Sequence, residues 1–241
     1  MNVGRTSSGP VVVVTGGAGF LGRALVRELR KASPDAVLDP RELRVLHVRP
    51  APAELSGVTY VRGDILEPDD LRRTFAGADL VFHLAALIDW GQNAPERVHA
   101  VNATGTRNVV EACRAAGVPA LVATSSLDVI YSGHSIHDAD ETTPYPSSYP
   151  SAYCVSKAEG ERAVRDADGT ALAGRGDRRR RTIVVRPGSI WGEGDPYHVG
   201  AMVELARRGP VVRLGRESAP THFTYVGNVA HAVALAGRAL L

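Results

Sequence analysis

Lysine is nearly missing from this 241-residue chain: of its 28 basic residues only Lys31 and Lys157 are lysines, and the rest are arginines. Ammonium and guanidinium groups are not interchangeable, so a lysine kept in so arginine-biased a sequence marks a place where amine chemistry is required. Cysteine is as scarce. Cys113 and Cys154 alone exclude a disulfide framework and fit a reducing compartment. A surplus of charge is absent as well: 26 Asp and Glu against 28 Lys and Arg leave a formal net charge of +2. That balance gives no general reason to expect a nucleic-acid partner. No apolar run approaches the ~18–20 residues of a membrane span, and Met1–Pro10 lacks the charged head and long apolar stretch of a signal peptide. The histidines show no metal-ligand spacing, and no metal is expected. What remains, 44% hydrophobic and 22% charged residues, is the composition of a soluble globular chain, expected in the cytoplasm and long enough for one continuous core.

Along the chain, short β-branched runs alternate with segments of helical periodicity. Val11–Val14 reads as a buried parallel strand. Phe20, Leu21, Ala24, Leu25 and Leu29 then recur at helical spacing to about Lys31. Strands are expected at Leu43–Val48, Val58–Val61, Leu80–Ala86, Leu121–Thr124 and Ile183–Arg186, with helices at Pro68–Phe75, Glu96–Ala116 and Ser151–Asp166. This order predicts an α/β fold, a doubly wound parallel sheet of Rossmann type with right-handed crossovers. The expected division is a dinucleotide-binding domain over residues 1–190, then a partial substrate-binding region over 191–241 interleaved with the core. Asp128–Pro150 lacks periodicity and reads as a long functional loop. Arg178–Arg181 reads as a solvated basic run. Val226–Leu241 runs as an apolar helix to the last residue without a capping glycine, which suggests a fragment.

Two patterns carry chemistry. Gly16, Gly19 and Gly22 follow the first strand directly and open the first helix with Phe20 and Leu21. Glycines there permit a tight turn, let backbone approach a pyrophosphate, and present helix N-terminal N–H groups to it, so a dinucleotide site is expected. Tyr153 and Lys157 stand four residues apart, one turn along one helix face. Seven tyrosines and two lysines would give about 0.06 such pairs by chance. An adjacent ammonium favours phenolate and makes proton transfer to or from a substrate oxygen feasible. Ser125 and Ser126 close the fifth strand, at the edge where open α/β sheets place their ligands.

With these motifs stand Asp64 after the third strand, His83-Leu84-Ala85-Ala86, Asn102 and Arg186-Pro187-Gly188. The set resembles an extended short-chain dehydrogenase/reductase. Ile88-Asp89, Val101–Thr106, Thr124–Val129, Ile190–Gly194 and Tyr225–Ala230 make the chain similar to the 3β-hydroxysteroid dehydrogenase/isomerase family, which includes sterol-4-carboxylate 3-dehydrogenases. The resemblance covers Val11 to Leu241, and members of the family continue beyond that point. It implies an NAD(P)-dependent enzyme interconverting a secondary alcohol and a ketone on a steroid or other lipid-like substrate. In it Tyr153 is the general acid–base, Lys157 lowers its pKa and binds the nicotinamide ribose, Ser126 positions the substrate oxygen and Asn102 supports the proton relay. Asp64 and Ile65 would meet the adenine, Ala85 and Ala86 would line the cofactor path, and Pro187 and Gly188 would lie against the nicotinamide. Asp128 matches an acidic position linked to isomerisation, or is a solvated strand-end carboxylate. A homodimer through the two long helices is also implied.

One position departs from the family habit. Where NAD-preferring relatives carry an acid at the end of the second strand, this chain has His47, followed by Arg49. Those residues would tolerate a 2′-phosphate, so the cofactor is read as NAD or NADP. Three other readings fit the same scaffold: a 2-alkyl-3-oxoalkanoate reductase, a sugar-nucleotide epimerase or dehydratase, and a non-catalytic dinucleotide sensor. Leu127 stands where dehydratases carry an acid directly after the serine, and the intact Tyr153/Lys157 pair argues against the sensor.

Overall fold

The computed structural model describes residues 8–31, 36–49, 55–172, 176–197, 199–209 and 222–241. Most of Met1–Pro10 and part of the Asp166–Arg181 segment lie outside them. The valine run forms β1 (Val11–Thr15), buried along its whole length, and the glycine turn leads into α1 (Phe20–Leu29). β2 (Glu42–His47), β3 (Thr59–Arg62) and α2 (Pro68–Phe75) follow, with proline in the first turn of α2, where its missing N–H costs least. β4 is Leu80–His83, β5 is Ala120–Thr124 and β6 is Arg181–Val185.

These six strands form one parallel sheet in the order β3-β2-β1-β4-β5-β6. The order reverses between β1 and β4, and ligands of open α/β sheets bind beyond the strand ends at such a point. Alternating side chains build a core on each face. Val12, Val14, Leu80, Phe82 and Val122 pack with α1 and with α7 (Val226–Leu240). Val11, Val13, Val81 and Leu121 pack on the other side with Phe75, Val109 and Val164. No helix among the described residues is long and apolar enough to cross a membrane.

Three readings of the sequence need correction, and one small sheet was not expected from it. The long helix expected over Glu96–Ala116 is α3 (Pro95–His99), a π-helical turn (Ala100–Thr104) and α4 (Gly105–Ala115). Periodicity counts apolar positions and is blind to one extra residue in a turn. The fourth strand ends at His83 rather than Ala86, because the chain beyond it leaves the ladder at the edge where sites form. The region after β6 holds a two-stranded parallel sheet, β7 (Ser189–Trp191) with β8 (Phe223–Tyr225), and α6 (Val199–Arg207). Finally, the basic run is not wholly solvated. Arg180 is 1% exposed, and its guanidinium donates to the Val118 carbonyl at 3.1 Å, the Cys113 carbonyl at 3.1 Å and Thr170 Oγ1 at 3.0 Å. It serves as the internal cap of the α4–β5 connection. α5 (Ala152–Asp166), by contrast, starts within one residue of its expected place, with the Ser151 hydroxyl capping the Cys154 N–H at 3.2 Å.

Replacing Arg180 by alanine leaves the Val118 carbonyl without its donor, takes one of two donors from the Cys113 carbonyl and empties the volume of a fully buried side chain, and we expect a loss of ~2–4 kcal/mol of stability. Urea unfolding of the variant beside wild type checks this; an unchanged midpoint would show the guanidinium to be dispensable.

Candidate active site

The C-terminal ends of the strands bring most of the singled-out residues to one edge of the sheet. Gly16 follows β1, His47 ends β2, Asp64 and Ile65 follow β3, Ala85 and Ala86 follow β4, Ser126 follows β5, and Pro187 and Gly188 follow β6. The glycines at β1 answer real constraints. Gly16 has φ +72°, and a Cβ on it would lie 2.7 Å from the backbone of Ala85. A Cβ on Gly22 would lie 2.2 Å from the Gly16 carbonyl oxygen. Gly19 caps α1 without any side-chain acceptor, so the first N–H groups of that ten-residue helix, at Phe20 and Leu21, face the turn as an anion cradle. These features fit a dinucleotide pyrophosphate.

Not every predicted contact lies open. Ile65 is buried, its side chain lying where a Cβ on Gly105 would touch it and its carbonyl accepting from Asn108 at 3.1 Å. Asp64 is half-buried and its carboxylate accepts the Leu66 N–H at 2.9 Å. Arg49 is exposed, while its carbonyl lies 2.7 Å from His47 Nδ1.

Beneath the edge runs a hydrogen-bonded chain the sequence did not reveal. Thr106 Oγ1 donates to the Asn102 carbonyl at 2.7 Å and so accepts from His83 Nε2 at 2.9 Å. Burial drives the pKa of the imidazole down to about 3, with the Lys157 charge adding to the fall, so the ring is neutral. With its hydrogen on Nε2, Nδ1 is bare and accepts from Thr15 Oγ1 at 2.7 Å. Asn102, in the π-helical turn, exchanges two hydrogen bonds with Leu87, at 2.8 and 3.0 Å. Its amide also reaches Ser156 Oγ at 3.2 Å, and Ser156 donates to the Tyr153 carbonyl at 2.9 Å. π-Helical turns recur at functional sites because they re-aim groups in this way.

On α5, Tyr153, Lys157 and Glu161 lie at successive i, i+4 positions and share one face. The Lys157 ammonium is buried and donates to the Thr124 carbonyl at 2.9 Å. Burial pulls its pKa down to about 8, against the opposing pull of Glu161. Glu161 takes a bidentate grip from Arg186, with Nε at 3.0 and 3.1 Å and Nη2 at 2.5 Å, and accepts from the Tyr145 hydroxyl at 2.7 Å. Burial alone would raise the Glu161 carboxyl, but these bonds, Arg186 foremost, hold it below its ordinary range. Glu161 and Tyr145 were not found from the sequence. The i+4 step from Lys157 was the available signal for Glu161.

At the end of β5, Ser126 Oγ donates to Asp128 Oδ2 at 2.8 Å and accepts the Asp128 N–H at 3.2 Å. Asp128 opens a 3₁₀ turn (Leu127–Ile130) and is half-buried rather than solvated. Burial pushes the Tyr153 phenol above its ordinary range, the Asp128 charge adds to the rise, and a hydrogen bond with Ser126 opposes it. The expected lowering by Lys157 is thus outweighed: desolvation of a phenolate dominates, and the ammonium is turned to Thr124. A proton-carrying phenol, a hydroxyl and a buried ammonium around one strand end can protonate or deprotonate a substrate oxygen.

A model of the 3-beta hydroxysteroid dehydrogenase/isomerase family matches residues 13–241. Human 3 beta-hydroxysteroid dehydrogenase type 7 is 38% identical over 245 residues, covering 95% of this chain and 64% of the human protein. The chain thus spans less than two thirds of that relative's length. A 2-alkyl-3-oxoalkanoate reductase of Stenotrophomonas maltophilia is 36% identical, covering 95% of this chain and 66% of that protein. Among solved structures, MoeE5 in complex with UDP-glucose and NAD superposes with a TM-score of 0.73 at 29% identity, covering 94% of this chain and 71% of that one.

Burial of His83 makes the stability of the fold depend on pH. Its folded pKa lies below the unfolded value near 6.5, so the unfolded state binds more protons between pH 6.5 and about 3, and stability is lost as pH falls through that window. His83→Gln removes this titration while keeping a donor for Thr106. Wild type should be the more stable at pH 7, and its advantage should shrink by pH 4.5 in urea unfolding. A constant difference would show that His83 does not titrate on unfolding.

Proposed function

Because this chain belongs to the 3-beta hydroxysteroid dehydrogenase/isomerase family, we propose that it is an NAD(P)-dependent oxidoreductase interconverting a secondary alcohol and a ketone on a 3β-hydroxysteroid or sterol-type substrate. One observation carries the reading: Ser126, Tyr153 and Lys157 gather at the ends of β5 and α5, on the sheet edge where the glycine turn presents the α1 N-terminus. Gly16, Gly19 and Gly22 would hold the pyrophosphate, Lys157 the nicotinamide ribose, Ala85, Ala86, Pro187 and Gly188 the nicotinamide end, and Asp64 with Ile65 the adenine. When bound, a nicotinamide dinucleotide supplies the hydride chemistry.

The chain's own residues move the proton. Tyr153, kept protonated by burial, donates from its hydroxyl to the oxygen of a ketone, and takes the proton back when an alcohol is oxidised. Lys157 stabilises the phenolate as it forms. Ser126 must swing its hydrogen from Asp128 to reach the substrate oxygen. Asn102 acts on Tyr153 through Ser156 and so positions rather than reacts. An apolar substrate class is supported by Trp191, Phe223 and Tyr225, exposed on the small sheet that joins Gly188 through the Ser189–His222 hydrogen bond. The 36% identity to a 2-alkyl-3-oxoalkanoate reductase favours a second reading on the same machinery. We propose that the enzyme works in the cytoplasm and as a homodimer; the surface where Pro95, His99 and Thr104 lie with Ala152 and Val155 would be the pairing face.

Tyr153→Phe removes only the phenolic proton donor. We expect kcat to fall by about 10²–10⁴-fold with dinucleotide affinity retained, measured on panels of 3-hydroxysteroids and 2-alkyl-3-oxoalkanoates. Normal turnover by the variant would remove Tyr153 from the mechanism, and turnover of the oxoalkanoates alone would replace the steroid reading.

A further inference from the structure

Lys157 is a buried ammonium with three hydrogens to place. One reaches the Thr124 carbonyl at 2.9 Å, a neutral acceptor. Burial pulls the pKa of this amine down to about 8 even against the opposing pull of Glu161. A buried lysine with nothing but a carbonyl to meet it goes neutral. The charged form is the one that favours a phenolate on Tyr153, so the ammonium needs a counter-charge.

The helix supplies one a single turn further on. Lys157 and Glu161 share a face of α5, and both line a small chamber of about 10 Å³ that Thr124 and Ser125 also line. Glu161 is itself buried and left alone would take up a proton. Two groups prevent this. Arg186 reaches both carboxylate oxygens from Nε, at 3.0 and 3.1 Å, and the Tyr145 hydroxyl donates at 2.7 Å. Tyr145 comes from the loop between the 3₁₀ turn and α5, and the Arg162 guanidinium lies over its ring, 4.3 Å from the centroid.

The other elements packed around Lys157 offer no substitute. β4 contributes His83, which is neutral, and the π-helical turn and α4 contribute the uncharged Asn102 and Thr106. Asp128 of the 3₁₀ turn accepts from Ser126 and acts on Tyr153. His99 of α3 and Arg107 of α4 meet Glu159, two residues from Lys157 and so on another face of α5. Arg186 of β6 has the wrong sign and is engaged by Glu161. Resting on the reading of Tyr153 and Lys157 above, we propose that Glu161 is a positioning residue of the reaction: seated by Arg186 and Tyr145, its carboxylate keeps the Lys157 ammonium charged for the moment Tyr153 gives up its proton.

The chain has only two lysines, so protein labelled with ¹³C at lysine Cε gives two signals whose shifts follow ionisation, and Lys31→Arg identifies them. In wild type the Lys157 signal should titrate near pH 8. In Glu161→Gln it should titrate below about pH 7, while the exposed Lys31 stays in place as an internal control. Glu161→Gln leaves Arg186 unpaired and can cost the fold, so Glu161→Gln/Arg186→Met provides a second reading. Its Lys157 midpoint should lie below that of wild type and above that of the single variant. An unmoved Lys157 midpoint in either folded variant overturns the inference. The kinetic counterpart is kcat on the 3-hydroxysteroid panel. Relative to wild type, Glu161→Gln should lose at least about fivefold more at pH 8 than at pH 6. A purely structural role lowers kcat equally at both, and equal losses overturn the positioning role. Absence of wild-type turnover with every substrate overturns the reading of the site, while the lysine titration still decides whether Glu161 keeps Lys157 charged.

Discussion

A single neutral imidazole under the sheet edge sets the relative position of the two halves of the site. His83 is gripped at both ring nitrogens, by Thr15 from β1 and by Thr106 from α4, and each grip fixes the direction of the next hydrogen. The Ala85 N–H also points to Thr15 Oγ1, at 3.4 Å. One path thus joins the strand beneath the glycine turn to the π-helical turn, to Asn102, and on through Ser156 to the backbone of Tyr153. Such a chain is costly where any member lacks a partner and rigid where all are satisfied. Every member here is satisfied, so the distance between the glycine turn and Tyr153 is set by bond lengths rather than by loop packing.

Close approach of helices is the second requirement. α5 crosses the π-helical turn at Gly160, where a Cβ would come within 2.6 Å of the Asn102 carbonyl oxygen. The same contact brings Glu161 under the end of β6, where Arg186 meets it. The pair is almost completely enclosed, with side-chain exposures of 1% for Glu161 and 13% for Arg186. Removing one partner of such a pair leaves an uncompensated charge, a cost on the order of 3–5 kcal/mol. The bidentate geometry therefore fastens β6, and with it Pro187 and Gly188, to the helix that bears Tyr153 and Lys157.

The sheet was legible in the sequence because its strands are buried on both faces, which leaves unbroken β-branched runs such as Val11–Val14. The glycine turn and the Tyr153/Lys157 spacing were legible because each is a local pattern with one structural meaning. The buried chain was not. Thr15, His83 and Thr106 lie 68 and 23 residues apart along the sequence, and nothing local marks a histidine as bridging two elements. Arg180 was misread for a related reason: a run of four arginines states its composition, not which member turns inward. β7 and β8 are three residues each and are separated by α6, too short for periodicity to register.

The two halves of the site use opposite electrostatic means, and the difference explains the state of Tyr153. The side of β1 and β4 is uncharged: His83 is neutral and the hydroxyls around it only relay direction. The α5 side carries the buried charge, Lys157 and Arg186 positive against Glu161 negative, one net positive charge along the helix that bears Tyr153. Asp128, held by Ser126, opposes it from the other side. Before reaction burial prevails and the phenol keeps its proton. In the proposed reaction, a phenolate formed as that proton passes to a substrate oxygen would draw on the positive charge this cluster already holds on α5, and preorganised charge is most effective where charge develops. Burial would then keep the proton on Tyr153 until a substrate oxygen can take it, and the Lys157–Glu161–Arg186 cluster would stabilise the site after it leaves.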